Sequence, residues 1–410
     1  MKKKLNPVFV FNCHYNGLAL IQSIGSQSIP VYALDTHRSV GAFSKYSKYI
    51  KVYDPLINEG KFIEELIRLA IKLKSKPLLL PTNDHWVEAI SKNKEKLSKY
   101  CIVSAPDFKT TQLLLNKYEF ANWCISRGIL APNVYDINKE EDIDKLLFPI
   151  AIKAKARRKS DNNDEGAEKA KIADKLRFNI CNTKEKCVEL FNLAKQYSIP
   201  LYAQDLVQGD SSAMRTIGVF AKNGIVKGIF YGKKVRGYPA QFGDCIVGQV
   251  ESVPIWAREL VVNVCKELNY TGIAEFELME DEKTKTNYII EINPRSWSWI
   301  GAAKPAGVDL AWLAYKNLVL NEDDLEVKET SAENPVIFSK VLDDFVNSLY
   351  LYKKEGAYKW AKNFKEWRNE YKNKNVVFAE FSNKDYPIAL FSLMHFFIKI
   401  LAIIKGKFRK

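Results

Sequence analysis

The chain has 410 residues, 47% of them hydrophobic and 27% charged, which is typical of a folded protein with more than one domain and excludes a disordered or fibrous chain. Its formal net charge of +14 points to anionic partners such as nucleotides, nucleic acid or a membrane surface. The seven cysteines are scattered and include no Cys-x-x-Cys pair, which argues against a disulfide framework or a zinc site and favours a reducing cytoplasm.

In the N-terminal part, short apolar runs alternate with helical patterns. Strand patterns cover residues 8–11, 30–34, 49–53, 77–80 and 102–104, as in a small Rossmann-like parallel sheet. The turn after the first run holds only Gly17 and lacks Gly-x-Gly-x-x-Gly, which argues against a dinucleotide site. Residues 82–84 are polar and follow a strand, at the end where open α/β sheets bind ligands. At such strand ends, His14 and His85 are candidates for binding an acceptor substrate.

A helix and an apolar strand come next. The pattern over residues 113–127 predicts a helix that ends at Gly128. An apolar run over residues 148–153 closes on Lys153. Lysines are seldom fully buried, so a lysine at this position either extends to solvent or meets an anion.

Polar and basic residues follow later strand patterns. Residues 202–207 form one such pattern, and Asp210 follows it as either a turn residue or an acceptor for hydroxyl groups. Lys233, Lys234 and Arg236 lie in a strand-like stretch and are either surface cations or the lining of a phosphate site.

A predicted hairpin carries the most informative motif. Its strands cover residues 272–278 and 289–293, and a polar turn joins them. Glu291, Asn293 and Arg295 occupy alternate positions, so in an extended segment they share one face. Carboxylate and amide oxygens are ligands that Mg²⁺ prefers, and the arginine fork suits phosphate or carboxylate oxygens. The alternative is an ordinary hairpin with an exposed polar face.

Together these elements resemble the ATP-grasp superfamily, in particular its carboxylate–amine ligases, over about residues 5–320. The resemblance rests on the hairpin with Glu275 and Glu291-Ile-Asn-Pro-Arg295, on the strand that ends at Lys153, and on the order of the elements. It implies a mixed α/β (α+β) ATP-grasp fold. The implied domains are a Rossmann-like pre-ATP-grasp domain (1–106), an ATP-grasp domain (107–325, with subdomains 113–207 and 208–325) and a helical C-terminal extension (326–410).

The resemblance also implies roles for individual residues. Glu275, Glu291 and Asn293 would hold Mg²⁺ or Mn²⁺, and Lys153 and Arg295 would act on the transferring phosphoryl group. The implied ATP contacts are Lys117, Lys153, Gln204, Asp205, Val207, Asp210, Lys233 and Arg236.

One loop departs from the family pattern. Ala154 follows the lysine where relatives have proline and a glycine-rich flap, and residues 155–170 contain only Gly166. This loop would either cover phosphates with side chains such as Arg157, Arg158 or Lys159, or be a solvated charged loop.

The implied reaction is an ATP-dependent, ADP-forming ligation of a carboxylate to an amine through an acyl phosphate. The carboxylate is a small molecule or lipid-linked, and no pattern identifies it or the amine. The alternatives are another ATP-grasp chemistry, of carboxylase type or with a phosphoribosyl substrate, and a non-catalytic nucleotide-binding scaffold.

The C-terminal extension is basic and aromatic. Trp360, Phe364, Trp367 and Tyr371 recur at helical spacing and predict an aromatic stripe on one helix. Residues 387–404 are almost entirely apolar, and residues 405–410 are basic.

The apolar segment predicts a helix with two unlike faces. Its weak polar stripe is Ser392, His395, Lys399 and Ala402, and the opposite stripe is Leu390, Met394, Phe397, Leu401 and Ile404. Because a lysine in mid-span is costly, the pattern favours peripheral attachment to the cytoplasmic face of a membrane. A helix packed on the body or in a homodimer, and a true span, are the alternatives. The extension carries no nucleic-acid-binding motif, so nucleic acid is not an expected partner.

Overall fold

The computed structural model describes residues 5–155, 164–240, 243–322, 326–331, 333 and 335–404, except for the side chains of residues 164–167 and 402–404. Arg157, Arg158 and Lys159 and the basic residues 405–410 lie outside the described residues. The chain forms two compact units. The first comprises Met1–Thr111, Asp210–Phe276 and Asn293–Lys410, and the second comprises Gln112–Gly209 and Glu277–Ile292.

The first unit begins with the expected parallel sheet. Its elements are β1 (Val8–Phe11), α1 (Tyr15–Gly25), β2 (Val31–Asp35), β3 (Ser47–Lys51), α2 (Pro55–Leu73), β4 (Leu78–Leu80), α3 (Asp84–Lys92), α4 (Lys94–Ser98) and β5 (Ile102–Val103), followed by α5 (Phe108–Leu115), which begins in the first unit and ends in the second. The strand order is β3-β2-β1-β4-β5. The central strands β1 and β4 are fully buried, which is why they read as unbroken apolar runs in the sequence.

The second unit holds an antiparallel sheet with strand order β6-β9-β7-β8. Its elements are α6 (Lys117–Ile125), β6 (Val134–Ile137), β7 (Ile150–Ala154), α7 (Asp164–Lys175), β8 (Asn179–Cys181), α8 (Lys184–Gln196) and β9 (Leu201–Asp205). The prediction of a single helix over residues 113–127 is wrong. Asn116 interrupts it with an extended backbone, and its side chain caps α6 by accepting from the amide of Glu119 at 3.3 Å.

The rest of the chain builds a long mixed sheet and the extension. The elements are β10 (Met214–Lys222), β11 (Ile225–Tyr238), β12 (Asp244–Val250), α9 (Ile255–Glu267), β13 (Gly272–Glu280), β14 (Asn287–Asn293), α10 (Leu310–Tyr315), β15 (Lys328–Glu329), β16 (Val336–Ser339), α11 (Val341–Val346), α12 (Tyr352–Lys354), α13 (Phe364–Tyr371), β17 (Asn375–Phe378) and α14 (Pro387–Ile404). The order is β14-β13-β10-β11-β12-β16-β17, with β15 beside β11. β13 and β14 run from one compact unit into the other.

Two tryptophans fill the core beneath this sheet. Trp297 and Trp299 are buried, and both pack against Phe230. Glycines make room for them, because a Cβ on Gly218 would lie 1.9 Å from Trp297 and one on Gly232 would lie 2.8 Å from Trp299. The segment that follows the Asn-Pro-Arg motif is therefore anchored in the core.

The aromatic helix of the extension begins later in the chain than the sequence predicted. Helix α13 covers Phe364–Tyr371, so Trp360 lies in a turn before the helix and packs against Tyr352 instead. Among the described residues, no helix combines the length and apolar character that crossing a bilayer requires.

Candidate active site

In the second unit, Lys153 lies on the central strand β7 and is buried. Its ammonium group donates to the side-chain oxygen of Gln204 on the neighbouring strand β9. Burial lowers the pKa of Lys153, the nearby charge of Lys117 also lowers it, and Glu291 opposes both effects, so that the resulting pKa is about 7. A buried amine of this kind gains its charge most readily when an anion arrives.

Two other lysines of the second unit form ion pairs with carboxylates. Lys117 forms an ion pair with Glu291, so the structure brings together two residues that the sequence assigned to nucleotide and metal. Lys155 pairs with Asp136 and lies 3.9 Å from the centre of the Tyr118 ring. The sequence suggested no role for Lys155, although its position two residues after Lys153 at a strand end is the signal that could have identified it.

Asp205 and Val207 mark the end of β9. The carboxylate of Asp205 accepts from Asn133 Nδ2 at 2.9 Å and from the Tyr135 hydroxyl at 3.2 Å. Val207 is half-buried beyond the strand. Their contact with a nucleotide stays a prediction.

In the first unit, the hairpin motif forms a line of hydrogen bonds. Glu275 is buried and accepts from Thr216 Oγ1 at 3.4 Å and from Asn293 Nδ2 at 3.1 Å. Arg295 Nη2 donates to Asn293 Oδ1 at 3.1 Å, and its Nε donates to Asp84 Oδ1 at 2.9 Å. The line therefore joins the Asn-Pro-Arg motif to Asp84, which begins α3 at the carboxyl end of the parallel sheet.

The predicted metal ligands fit a hard cation by their chemistry. Glu275 and Asn293 present a carboxylate and an amide oxygen from adjacent strands, and Glu291 belongs to the second unit, two residues before Asn293 on β14. Within the described residues, no group of three or more His, Cys, Asp or Glu side chains is placed to hold a metal ion, so the predicted set depends on the amide of Asn293.

Asp210 and Lys233 have partners in their own unit. Asp210 accepts from the amide of Ser212 at 2.8 Å and pairs with Lys359 of the extension. Burial would raise its pKa, but the bonds from Lys359 and Ser212 outweigh that effect and lower it. Lys233 pairs with Glu251 at 2.5 Å. Their roles at ribose and phosphate stay predictions.

Arg236 is engaged with the extension. It is buried, and its Nε and Nη2 donate to the two carboxylate oxygens of Asp344 at 2.6 and 2.8 Å. Its Nη2 also lies 2.7 Å from Glu370. These contacts are those of a structural ion pair between β11 and the extension, and a role for Arg236 at phosphate stays a prediction.

Hydrogen bonds join the loops at the carboxyl ends of β1, β2 and β4. Asp35 accepts from the amide of Cys13 and from Ser39 Oγ, each at 2.8 Å. Asn16 donates to the carbonyl of Thr82 at 2.7 Å. Burial lowers the pKa of His14, and the charge of Asp35 opposes that effect. This strand-end group is the candidate place for the acceptor.

No protein-family model matches the chain. The D-aspartate ligase of Enterococcus faecium (strain Aus0004) is 25% identical over 305 residues, which cover 69% of this chain and 70% of that relative.

Two solved structures share the fold. N5-carboxyaminoimidazole synthetase from Staphylococcus aureus matches with a TM-score of 0.62 and 15% identity, covering 86% of this chain and 87% of that one. The biotin carboxylase domain of Hydrogenobacter thermophilus 2-oxoglutarate carboxylase, solved with MgADP and bicarbonate, matches with a TM-score of 0.57 and 16% identity, covering 80% and 72%. The fold expected from the sequence is confirmed.

Proposed function

We propose that this chain, a member of the ATP-grasp superfamily, is an ADP-forming ligase that joins a carboxylate to an amine. One observation carries the proposal, the series of hydrogen bonds through Glu275, Asn293, Arg295 and Asp84. It joins the strand that carries predicted metal ligands to the carboxyl end of the parallel sheet, where we expect the acceptor substrate to bind. Similarity to a D-aspartate ligase favours amide formation with an amino acid over carboxylase-type or phosphoribosyl chemistry. It also favours catalysis over a non-catalytic scaffold.

The proposed reaction has two steps. A carboxylate oxygen of the substrate takes the γ-phosphoryl group of ATP, which releases ADP and leaves an acyl phosphate. The amine then attacks the acyl carbon, the phosphate leaves, and the amine loses a proton to give an amide. Both steps require neutralisation of negative charge on the transferring group.

Residues of this chain would supply that neutralisation. Lys153 would hold a phosphate oxygen with the charge that it acquires on binding, and Arg295 would bind the phosphoryl or carboxylate oxygens from its place beside Asp84. Glu275, Glu291 and Asn293 would hold Mg²⁺, with Mn²⁺ as a substitute. When bound, the metal would neutralise charge on the phosphates.

We also propose the classes of substrate and the cellular location of the reaction. An amino acid would be one substrate, and the other would be a small or lipid-linked molecule. The enzyme would work in the cytoplasm, on the inner face of the membrane, with no nucleic-acid partner. Formation of a homodimer is compatible with the reaction and is not required by it.

The test is calorimetric titration of ATP into the full-length protein with and without Mg²⁺. We expect binding that depends on Mg²⁺, and we expect Glu291→Gln to weaken it at least about tenfold and to abolish turnover while the fold is kept. Glu282→Gln is the matched control, because Glu282 is exposed in the turn of the same hairpin.

A panel of acceptors then separates the chemistries. Phosphate release that D-aspartate or another amine stimulates supports the ligase, whereas stimulation by bicarbonate alone supports the carboxylase type. A folded protein that binds no ATP, or turnover retained by Glu291→Gln, contradicts the proposal.

A further inference from the structure

The C-terminal helix α14 packs on the first unit through one side. Ile388 and Ser392 are buried, and the ring of Phe391 stacks on Phe43 at 4.3 Å. Lys399 pairs with Asp343 of the extension at 2.5 Å. Two members of the polar stripe that the sequence predicted, Ser392 and Lys399, are therefore turned toward the body of the protein, and a third, His395, is exposed.

The outward side of α14 is mostly apolar. Its exposed large apolar residues are Leu390 (76% exposed), Leu393 (36%), Met394 (54%), Phe397 (63%), Ile398 (57%) and Leu401 (55%), and His395 is exposed beside them. From Leu390 to Leu401 they extend roughly 17 Å along the helix. A continuous apolar strip of this kind on a surface marks an interaction site.

The segment that carries this strip is basic in sequence. Residues 384–410 contain six basic residues and one acidic residue, Asp385. Asp385 is buried and turned inward, where it accepts from Ser44 Oγ at 2.5 Å and from the amide of Lys45 at 2.9 Å. The side chains of Lys45 and Lys384 are exposed near the start of the helix. Within the part of this segment that the structure describes, no carboxylate is therefore directed outward beside the strip.

We propose that the outward face of α14 docks on the surface of a bilayer that contains anionic lipids, with the helix lying along the surface. Apolar side chains would enter the boundary between headgroups and acyl chains, and the flanking cations would meet lipid phosphates. A second copy of this chain fits less well, because a two-fold interface would bring two basic segments together.

The same helix lies beside the acceptor end of the first unit. Ile388 packs with Leu18 and Val40, and Tyr15 and Phe391 adjoin this cluster. Tyr15 and Val40 belong to the segments that follow β1 and β2. On the basis of the proposed ligase function, docking through α14 would hold the acceptor end near the membrane and would favour a substrate attached to lipid.

The test is sedimentation of the full-length protein with vesicles of phosphatidylcholine, with and without phosphatidylglycerol. We expect binding only to the anionic vesicles, weakened by salt, and a loss of at least tenfold in the triple variant Leu390→Ser, Met394→Ser, Phe397→Ser. The matched control is Ile57→Ser with Ile71→Ser, which removes two exposed apolar side chains from α2.

ATP titration of the same samples separates this inference from the ligase proposal. Vesicle binding by a protein that binds no ATP supports the docking surface and contradicts the ligase. Absence of vesicle binding in the wild type, or equal binding by the triple variant, overturns the docking surface. A dimer in light scattering that the triple variant disperses, without vesicle binding, assigns the face to a second copy instead.

Discussion

At the scale of single residues, Lys153 shows how the fold prepares a cation for an anionic ligand. Gln204 accepts a hydrogen bond from the amine and is neutral, so it does not favour the charged form as a carboxylate would. Burial keeps the pKa of Lys153 at about 7. Phosphate groups beside the amine would favour the charged form and raise this pKa.

The expected result is proton uptake when ATP binds. At pH 8 the amine is mostly neutral and must gain a proton, whereas at pH 6 it is already charged, so uptake grows between these values. Above pH 7 the affinity should fall by up to about tenfold per pH unit. Calorimetry in two buffers of different ionisation enthalpy measures the uptake.

Lys153→Arg is the control for this prediction, because a guanidinium stays charged over the whole range. It should bind ATP without proton uptake from this position. Equal uptake by the wild type and the variant would show that another group gains the proton.

At the scale of secondary-structure elements, a buried ion pair joins helices of the extension to strand β11 of the long sheet. Arg236 on β11 meets Asp344 on α11, and Trp367 Nε1 and the hydroxyl of Tyr371 on α13 donate to the same carboxylate at 2.8 and 2.5 Å. Removal of one partner leaves the other charge buried.

We therefore expect Arg236→Met to lower the free energy of unfolding by about 3–5 kcal/mol. The double variant Arg236→Met, Asp344→Leu should recover part of that loss, since no buried charge remains. Lys233→Met, on the same strand but half-exposed, is the control and should cost less than about 1 kcal/mol. Denaturant unfolding of all variants measures these values, and additive losses in the double variant would contradict the ion-pair interpretation.

Another element is capped by a buried acid. Glu380 accepts from the amides of Val341 and Leu342, at 3.0 and 3.3 Å, where α11 begins. Burial raises the pKa of Glu380, the charge of Asp343 also raises it, and the amides lower it, so that the resulting pKa is about 8. The unfolded chain loses this proton near pH 4.5, so between about 4.5 and 8 the folded state binds more protons.

The sign of the pH dependence follows from that difference. The contribution of Glu380 to stability is complete below about pH 4.5 and is lost as the pH rises to about 8, by at most about 5 kcal/mol. Glu380→Gln keeps an acceptor for the amides and should flatten this part of the profile. Thermal unfolding between pH 5 and 9 tests it, and parallel profiles for the two proteins would contradict the assignment.

At the scale of the whole molecule, patterns that are local in sequence predicted the fold well. The strands around Val10, Leu79 and Glu291 were recognisable because a buried strand gives an apolar run, and a half-buried strand gives alternating apolar and polar residues, within a few positions of sequence. The hairpin motif could be identified for the same reason. The break at Asn116 was missed because the helical periodicity continues on both sides of it.

Contacts between distant parts of the chain could not be predicted in this way. Arg236 and Asp344 are 108 residues apart, and nothing local in either segment indicates the pairing. The sequence predicted two unlike faces for α14, but periodicity alone does not say which face packs inward. Domain boundaries at residues 106 and 325 stay predictions.

The two core tryptophans have an optical consequence. Trp297 and Trp299 are buried, and their indole Nε1 atoms have no hydrogen-bond partner among the described residues. Apolar surroundings of this kind shift indole fluorescence to shorter wavelengths and protect it from quenchers in solution. Because Trp297 follows Arg295 by two positions, we expect its emission to report on the surroundings of the Asn-Pro-Arg motif. It could follow ligand binding there without any added label.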